Sequence, residues 1–216
     1  MTERLVLRPD ALDGKIVSRA VEVLQRGGII VYPTDTIYGL GADPFNAESV
    51  ARLQGAKQRF ERKPILLIAN SIDTVRSVVR SLSRDALQLA EKFWPGPLTL
   101  VLPARENVPM EITQGSGTVG VRIPSNPFCL RLTELFGGPI TSTSANITGQ
   151  STPEEVDGIV RMLGDSVDMY LDAGRMESTT PSTIVDLSTS PPRVLRQGVI
   201  AVAQVREFIP TIVNEG

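Results

Sequence analysis

Apolar residues at Ile16, Val17, Ala20, Val21, Val23 and Leu24 recur at the spacing of one helix face and stop at Arg26-Gly27-Gly28, a basic last turn followed by glycine. The pattern then changes. Residues 28–32 form a short, unbroken apolar run that predicts a strand, and the polar, glycine-bearing stretch "YPTDTIYGLGAD" follows at 32–43. Asn46 is placed to cap a helix reaching about Lys57, with Glu48 in the first turn, where negative charge suits the dipole. A buried strand is predicted at 65–69 after Pro64, and a helix at about 71–80. Ser83 caps a further helix whose face carries Ala86, Leu87, Ala90 and Phe93, until Trp94-Pro95-Gly96-Pro97 ends it as a rigid corner.

The second half continues the interleaving. Strands are predicted at 98–102 and 118–123, with a surface loop between them. Residues 126–136 read as helix, 139–143 as extended, and 153–163 as helix, with Thr152 as its cap and Pro153 at its first position. Strands at 167–171, 182–187 and 193–195 and a helix near 202–208 complete the set. Strands and helices alternate without a repeat, which predicts one α/β domain around a mixed, mostly central sheet. The Pro/Ser/Thr-rich stretch 176–183 is the place to expect a mobile loop.

Composition narrows the chemistry. The chain has 216 residues, 41% hydrophobic and 21% charged, which is ordinary for a globular protein. Its longest apolar runs are too short to span a bilayer and its start lacks the form of a signal peptide, so a cytoplasmic protein is expected. There is no histidine and a single cysteine, Cys129. This removes Ser-His-Asp and Cys-His catalysis and argues against a zinc site; no metal ligands are assigned. Cys129 lies among helical apolar residues and reads as inert packing. The formal charge of −2 gives no bulk attraction to nucleic acid, although a local basic patch remains open.

Three polar clusters stand at element ends. Thr34-Asp35-Thr36, with Tyr38 and Gly39, reads either as a turn that satisfies its own amides or as a ligand loop, and it does not fit a P-loop. Lys57, Arg59, Arg62 and Lys63 place four cations in seven residues, suited either to a solvated helix end or to polyphosphate. "TSTSANITGQS" at 141–151 crowds hydroxyls and an amide into a strand exit, chemistry that suits ribose, phosphate oxygen or an amino acid. Arg122 ends an apolar strand, where a lone arginine signals a buried ion pair or a ligand carboxylate, and Arg196 is similarly placed.

Taken in order, "YPTDTIYGLGAD", "AKQR" with "KPILLI", "FWPGPLTLVL", "TVGVRIPSNP", "TSTSAN", "STIVDL" and "VLRQG" resemble the YrdC-like family over about residues 12 to 205. The resemblance implies a single domain over 1–216, in the form without an added C-terminal domain, with a twisted mixed sheet, flanking helices and a deep electropositive cavity. It implies synthesis of threonylcarbamoyl-adenylate and pyrophosphate from L-threonine, bicarbonate or carbon dioxide, and ATP accompanied by Mg²⁺. That product feeds a tRNA modification, with tRNA itself met only indirectly and protein partners downstream. Carried over by position, Lys57, Arg59, Thr118, Ser144, Asn146, Ser151 and Arg196 are expected on ATP, Lys57 and Arg59 as the catalytic cations. Thr34, Arg122, Ser142 and Ser182 are expected on L-threonine, with Arg122 gripping its carboxylate in a bidentate pair. Ile68 stands where some relatives carry histidine, and Phe60 where proline is common. The competing reading is an RNA-binding or ribosome-maturation module using Arg59, Arg62 and Lys63 on phosphates.

Overall fold

The computed structural model describes residues 2–8, 13–58, 64–178 and 180–215. The strand segments resolve into two mixed sheets rather than one central sheet. The first runs in the order β1 (Glu3–Val6), β9 (Met169–Asp172), β2 (Ile30–Tyr32), β3 (Gly39–Gly41), β8 (Thr143–Ser144). The second runs β12 (Val213–Asn214), β11 (Arg193–Arg196), β10 (Thr183–Asp186), β5 (Leu98–Pro103), β6 (Thr118–Arg122), β4 (Leu66–Ile68), β7 (Ile140–Thr141). Each mixes parallel and antiparallel pairs.

Local chemistry accounts for most of the helices. Asp13 caps α1 (Gly14–Gln25), Asn46 caps α2 (Ala47–Ala56), Ser71 caps α3 (Ile72–Arg76) and Ser83 caps α4 (Arg84–Phe93), each side chain accepting an amide of the first turn. Asn126 does the same for α6 (Pro127–Phe136), which carries proline at its start and ends on Gly137 with φ of 81°. The remaining helices are α5 (Met110–Thr113), α7 (Val156–Leu163) and α8 (Val202–Arg206). One apolar face each of α1 and α6 packs on the five-stranded sheet through Val17, Leu24, Phe128 and Leu132 against Ile30 and Leu171. A larger core joins both sheets to α2, α4, α7 and α8.

The period of two along β5 decides what the seven-stranded sheet can do. Leu98, Leu100 and Leu102 are buried in the core, whereas Thr99 and Val101, on the opposite face, line a cavity.

Several elements depart from expectation. Gly39-Leu40-Gly41 is a strand, not a turn: it pairs antiparallel with β2, Val31 opposite Leu40. Its glycines are needed because a Cβ on Gly41 would lie 2.8 Å from Tyr32 Cε1. Thr152 does not cap α7, which begins at Val156; its hydroxyl donates instead to Asn146 Oδ1 at 3.2 Å. Helix α3 is shorter than the 71–80 expected. Strands β1 and β12 and helix α5 carry no clear local signal; β1 is held by β9, far along the chain.

No helix among the described residues is long and apolar enough to cross a membrane. Cys129 is fully buried, with its thiol donating to the Pro33 carbonyl at 3.3 Å, and desolvation pushes its pKa up. The native thiol is therefore expected to resist a thiol reagent at mildly alkaline pH and to react fully in denaturant; native reactivity would contradict the packing described. Leu100→Ala, at a fully buried position, is expected to cost about 2–5 kcal/mol in a denaturant titration.

Candidate active site

A cavity of about 670 Å³ is walled by both sheets. The seven-stranded sheet contributes the floor, from Leu66, Thr99, Val101, Gly120, Ile184 and Leu195. The 34–38 turn after β2, Gly39 at the start of β3, and Ser142 to Ser144 at the strand exit supply the facing wall. Seven of the residues expected from sequence line this one space: Thr34, Thr118, Arg122, Ser142, Ser144, Ser182 and Arg196. Lys57, Asn146 and Ser151 do not line it, and Arg59, with Phe60, Arg62 and Lys63, lies outside the described residues.

Arg122 is buried at 3% exposure and meets the carboxylate of Asp35 through Nη2. A hydroxyl chain continues from its Nη1, which donates to Thr36 Oγ1 at 3.3 Å. The Thr36 and Thr34 oxygens are 3.0 Å apart, and Thr34 donates to the Ile37 carbonyl at 2.7 Å. Because each hydroxyl has one proton, the consistent direction runs from Arg122 through Thr36 and Thr34 to Ile37. Thr34 Oγ1 also accepts from the Thr36 amide at 3.1 Å, so the turn satisfies its own backbone while Thr34 and Thr36 line the cavity. Arg122 Nε is buried without a hydrogen-bond partner.

At the other side of the floor, Arg196 donates to the Ser182 carbonyl from Nε and Nη2, at 3.1 and 2.9 Å, and to Ser182 Oγ at 3.3 Å. Ser182 Oγ is in turn 2.9 Å from Thr99 Oγ1. Arg196 stays accessible to solvent and makes no ion pair among the described residues. Desolvation by the cavity wall and then the charge of Arg122 lower its pKa from the ordinary guanidinium value. Asp186 is the one carboxylate of the lining among the described residues, and it accepts from the Ser188 amide and hydroxyl. The turn that presents Arg196 needs Gly198, since a Cβ there would lie 2.1 Å from the Pro181 carbonyl oxygen.

Lys57 is not on a solvated helix end. It is buried at 4% exposure and its ammonium donates to the carbonyls of Ser144 and, at 2.9 Å, Asn146, while its own carbonyl accepts from the Thr148 amide. The Asn146 side chain donates to the carbonyls of Ile147 and Gln150, at 2.8 and 2.6 Å, closing the same loop. Lys57 and Asn146 thus shape the wall that Ser144 presents, and Ser151 lies exposed beyond it. Ile68 pairs across strands with Arg122 and is fully buried in the smaller core.

Tyr38, also in the lining, donates to the Gly174 carbonyl at 2.7 Å and accepts from the Ala173 amide. Burial pushes its phenol up to about 12, so it acts here as a neutral strut. Asp35 and Thr36 were named from the sequence only as members of the 34–36 cluster, without a substrate role, and Thr99 and Asp186 were not singled out. Thr99 had a usable signal, as the polar residue between Leu98 and Leu100; Asp35 had one in its position at a strand exit, but its partner is 87 residues away.

The family model described as Telomere recombination, the Sua5/YciO/YrdC domain, matches residues 22–198. A Mycobacterium tuberculosis relative is 38% identical over 201 residues, covering 93% of this chain and 92% of its own. The threonylcarbamoyl-AMP synthase of Coxiella burnetii is 34% identical over 173 residues, covering 80% of this chain and 93% of its own. Among solved structures, P. abyssi Sua5 complexed with L-threonine superposes with a TM-score of 0.94 at 32% identity, over 99% of this chain and 63% of that longer one. With the family model, the curated relatives and the fold in agreement, the chain belongs to the Sua5/YciO/YrdC family.

Proposed function

We propose that this protein is an L-threonylcarbamoyladenylate synthase, a nucleotidyltransferase that makes threonylcarbamoyl-AMP and pyrophosphate from L-threonine, bicarbonate or carbon dioxide, and ATP. It works in the cytoplasm, and its product passes to tRNA-modification proteins for threonylcarbamoyladenosine. One observation carries the reading: seven polar residues named by the family resemblance, distant in sequence, converge on a single cavity with two guanidinium groups of different electrostatic state. The C. burnetii relative named for this activity and the threonine complex of P. abyssi Sua5 support it.

Arg122, already neutralised by Asp35, suits the single carboxylate of an otherwise zwitterionic amino acid. Thr34, Ser142 and Ser182 surround it with neutral hydroxyls for the rest of the threonine. Arg196 has no acidic partner among the described residues and suits the polyanionic nucleotide, with Thr118 and Ser144 on the same walls. Arg59, Asn146 and Ser151 are assigned to the nucleotide by family position, as is Lys57, which also braces the Ser144 loop.

The threonine amine adds to carbon dioxide to give a carbamate and a proton. A carbamate oxygen then attacks the α-phosphorus in line, and pyrophosphate leaves with the pair of electrons of the broken P–O bond. Neither step needs a histidine; both need reactants held in register and charge neutralised, which the arginines and the hydroxyl-lined wall provide. No group of three acidic, histidine or cysteine side chains is assembled among the described residues. A magnesium ion accompanying the nucleotide would supply charge neutralisation at its phosphates. Pro181 and Ser182, at the end of the 176–183 stretch, line the cavity.

Pyrophosphate release from ATP is expected only when threonine and bicarbonate are both present; release that ignores threonine would overturn the proposal. Arg122→Ala is expected to raise the KM for threonine by about 10²-fold while moving that for ATP far less. Lys57→Met strands two buried carbonyls, and is expected to lose about 1–3 kcal/mol in a denaturant titration and to lower kcat.

A further inference from the structure

We propose that Asp35 is the positioning residue for the amino-acid substrate: it holds the Arg122 guanidinium in place in the cavity wall, where Arg122 meets the ligand carboxylate. This rests on the function proposed above and adds to it a residue outside the predicted site. Asp35 sits between Thr34 and Thr36, in the wall between the main cavity and a second cavity of about 530 Å³ that both threonines also line. Its carboxylate is fully engaged. One oxygen accepts from Arg122 Nη2, and the other accepts from the Ser125 amide and hydroxyl, each at 3.2 Å.

The guanidinium is consequently held at two points, by Asp35 at Nη2 and by Thr36 at Nη1. A planar group fixed at two points has no freedom left to turn its third nitrogen toward a protein acceptor. Nε is the one buried side-chain nitrogen or oxygen among the described residues that lacks a partner. Nε itself has no accessible surface, so the ligand carboxylate meets the part of the held guanidinium that lines the cavity. Asp35 also supplies the counter-charge that lets a guanidinium stay buried at 3% exposure. Removing it leaves a charged group free to rotate and to draw in a stray anion.

The opposite role for the same geometry is a latch, in which Asp35 competes with substrate for Arg122. The two make opposite predictions. Positioning predicts that Asp35→Asn raises the threonine KM about tenfold or more, leaves the ATP KM within about twofold, and is partly rescued by Asp35→Glu. Ser125→Ala, which loosens the anchor from an exposed residue, is expected to raise the threonine KM several-fold in the same direction. The measurement is threonine- and ATP-dependence of pyrophosphate release for the wild type and the three variants. A lowered or unchanged threonine KM in Asp35→Asn, or equal changes for both substrates, overturns the assignment while leaving the function standing. If Asp35→Asn does not fold, Ser125→Ala decides alone by the same criterion. A wild type without threonine-dependent release overturns the function and this assignment with it.

Discussion

One five-residue segment, 140–144, is hydrogen-bonded first into the seven-stranded sheet and then into the five-stranded one, and the cavity exists because of it. The seam is dense. The Thr141 amide donates to the Ala42 carbonyl, the Ala42 amide to Thr141 Oγ1, the Ser142 amide to the Leu66 carbonyl and the Ala145 amide to the Tyr38 carbonyl. Tyr32, fully buried, adds its hydroxyl to the Thr141 carbonyl at 3.2 Å. With these polar groups of the crossing paired, the seam sits in the interior at a reduced desolvation penalty. The sheets separate from this line, and the space between them is the site.

The glycines of β3 follow from the same constraint. Tyr32 lies over Gly41, and Gly39 approaches Ser142 Oγ so closely that a Cβ there would sit 3.3 Å away. A larger residue at either position would push the five-stranded sheet off the seam. Glycine is a poor strand former in isolation, and here close packing outweighs that preference.

Charge is distributed along the cavity in a way that assigns its ends. At the buried end Arg122 is matched by Asp35 and tied through hydroxyls to the 34–37 turn; at the accessible end Arg196 is held by neutral groups of Ser182. Two like charges in one partly dehydrated space disfavour each other, and pairing one of them limits that penalty. Lys57 belongs to neither end: its ammonium donates to the carbonyls of Ser144 and Asn146 and so ties the end of α2 to the Ser-x-Asn loop.

Local pattern was enough to place most helices and their caps, since Asn46, Ser83 and the glycine stop after α1 act within a few residues of themselves. Motif order was enough to name Thr34, Thr118, Arg122, Ser142, Ser144, Ser182 and Arg196, which meet in one cavity. Only the tertiary structure divided the strands into two sheets, turned Gly39-Leu40-Gly41 into a strand, moved Thr152 from a helix cap to Asn146, and took Lys57 out of solvent. It alone joined Asp35 to Arg122. The reason is common to all of these: caps and periodicity are interactions of short range along the chain, whereas burial and charge pairing depend on which distant segments share a space, and one sequence position carries no record of its partner.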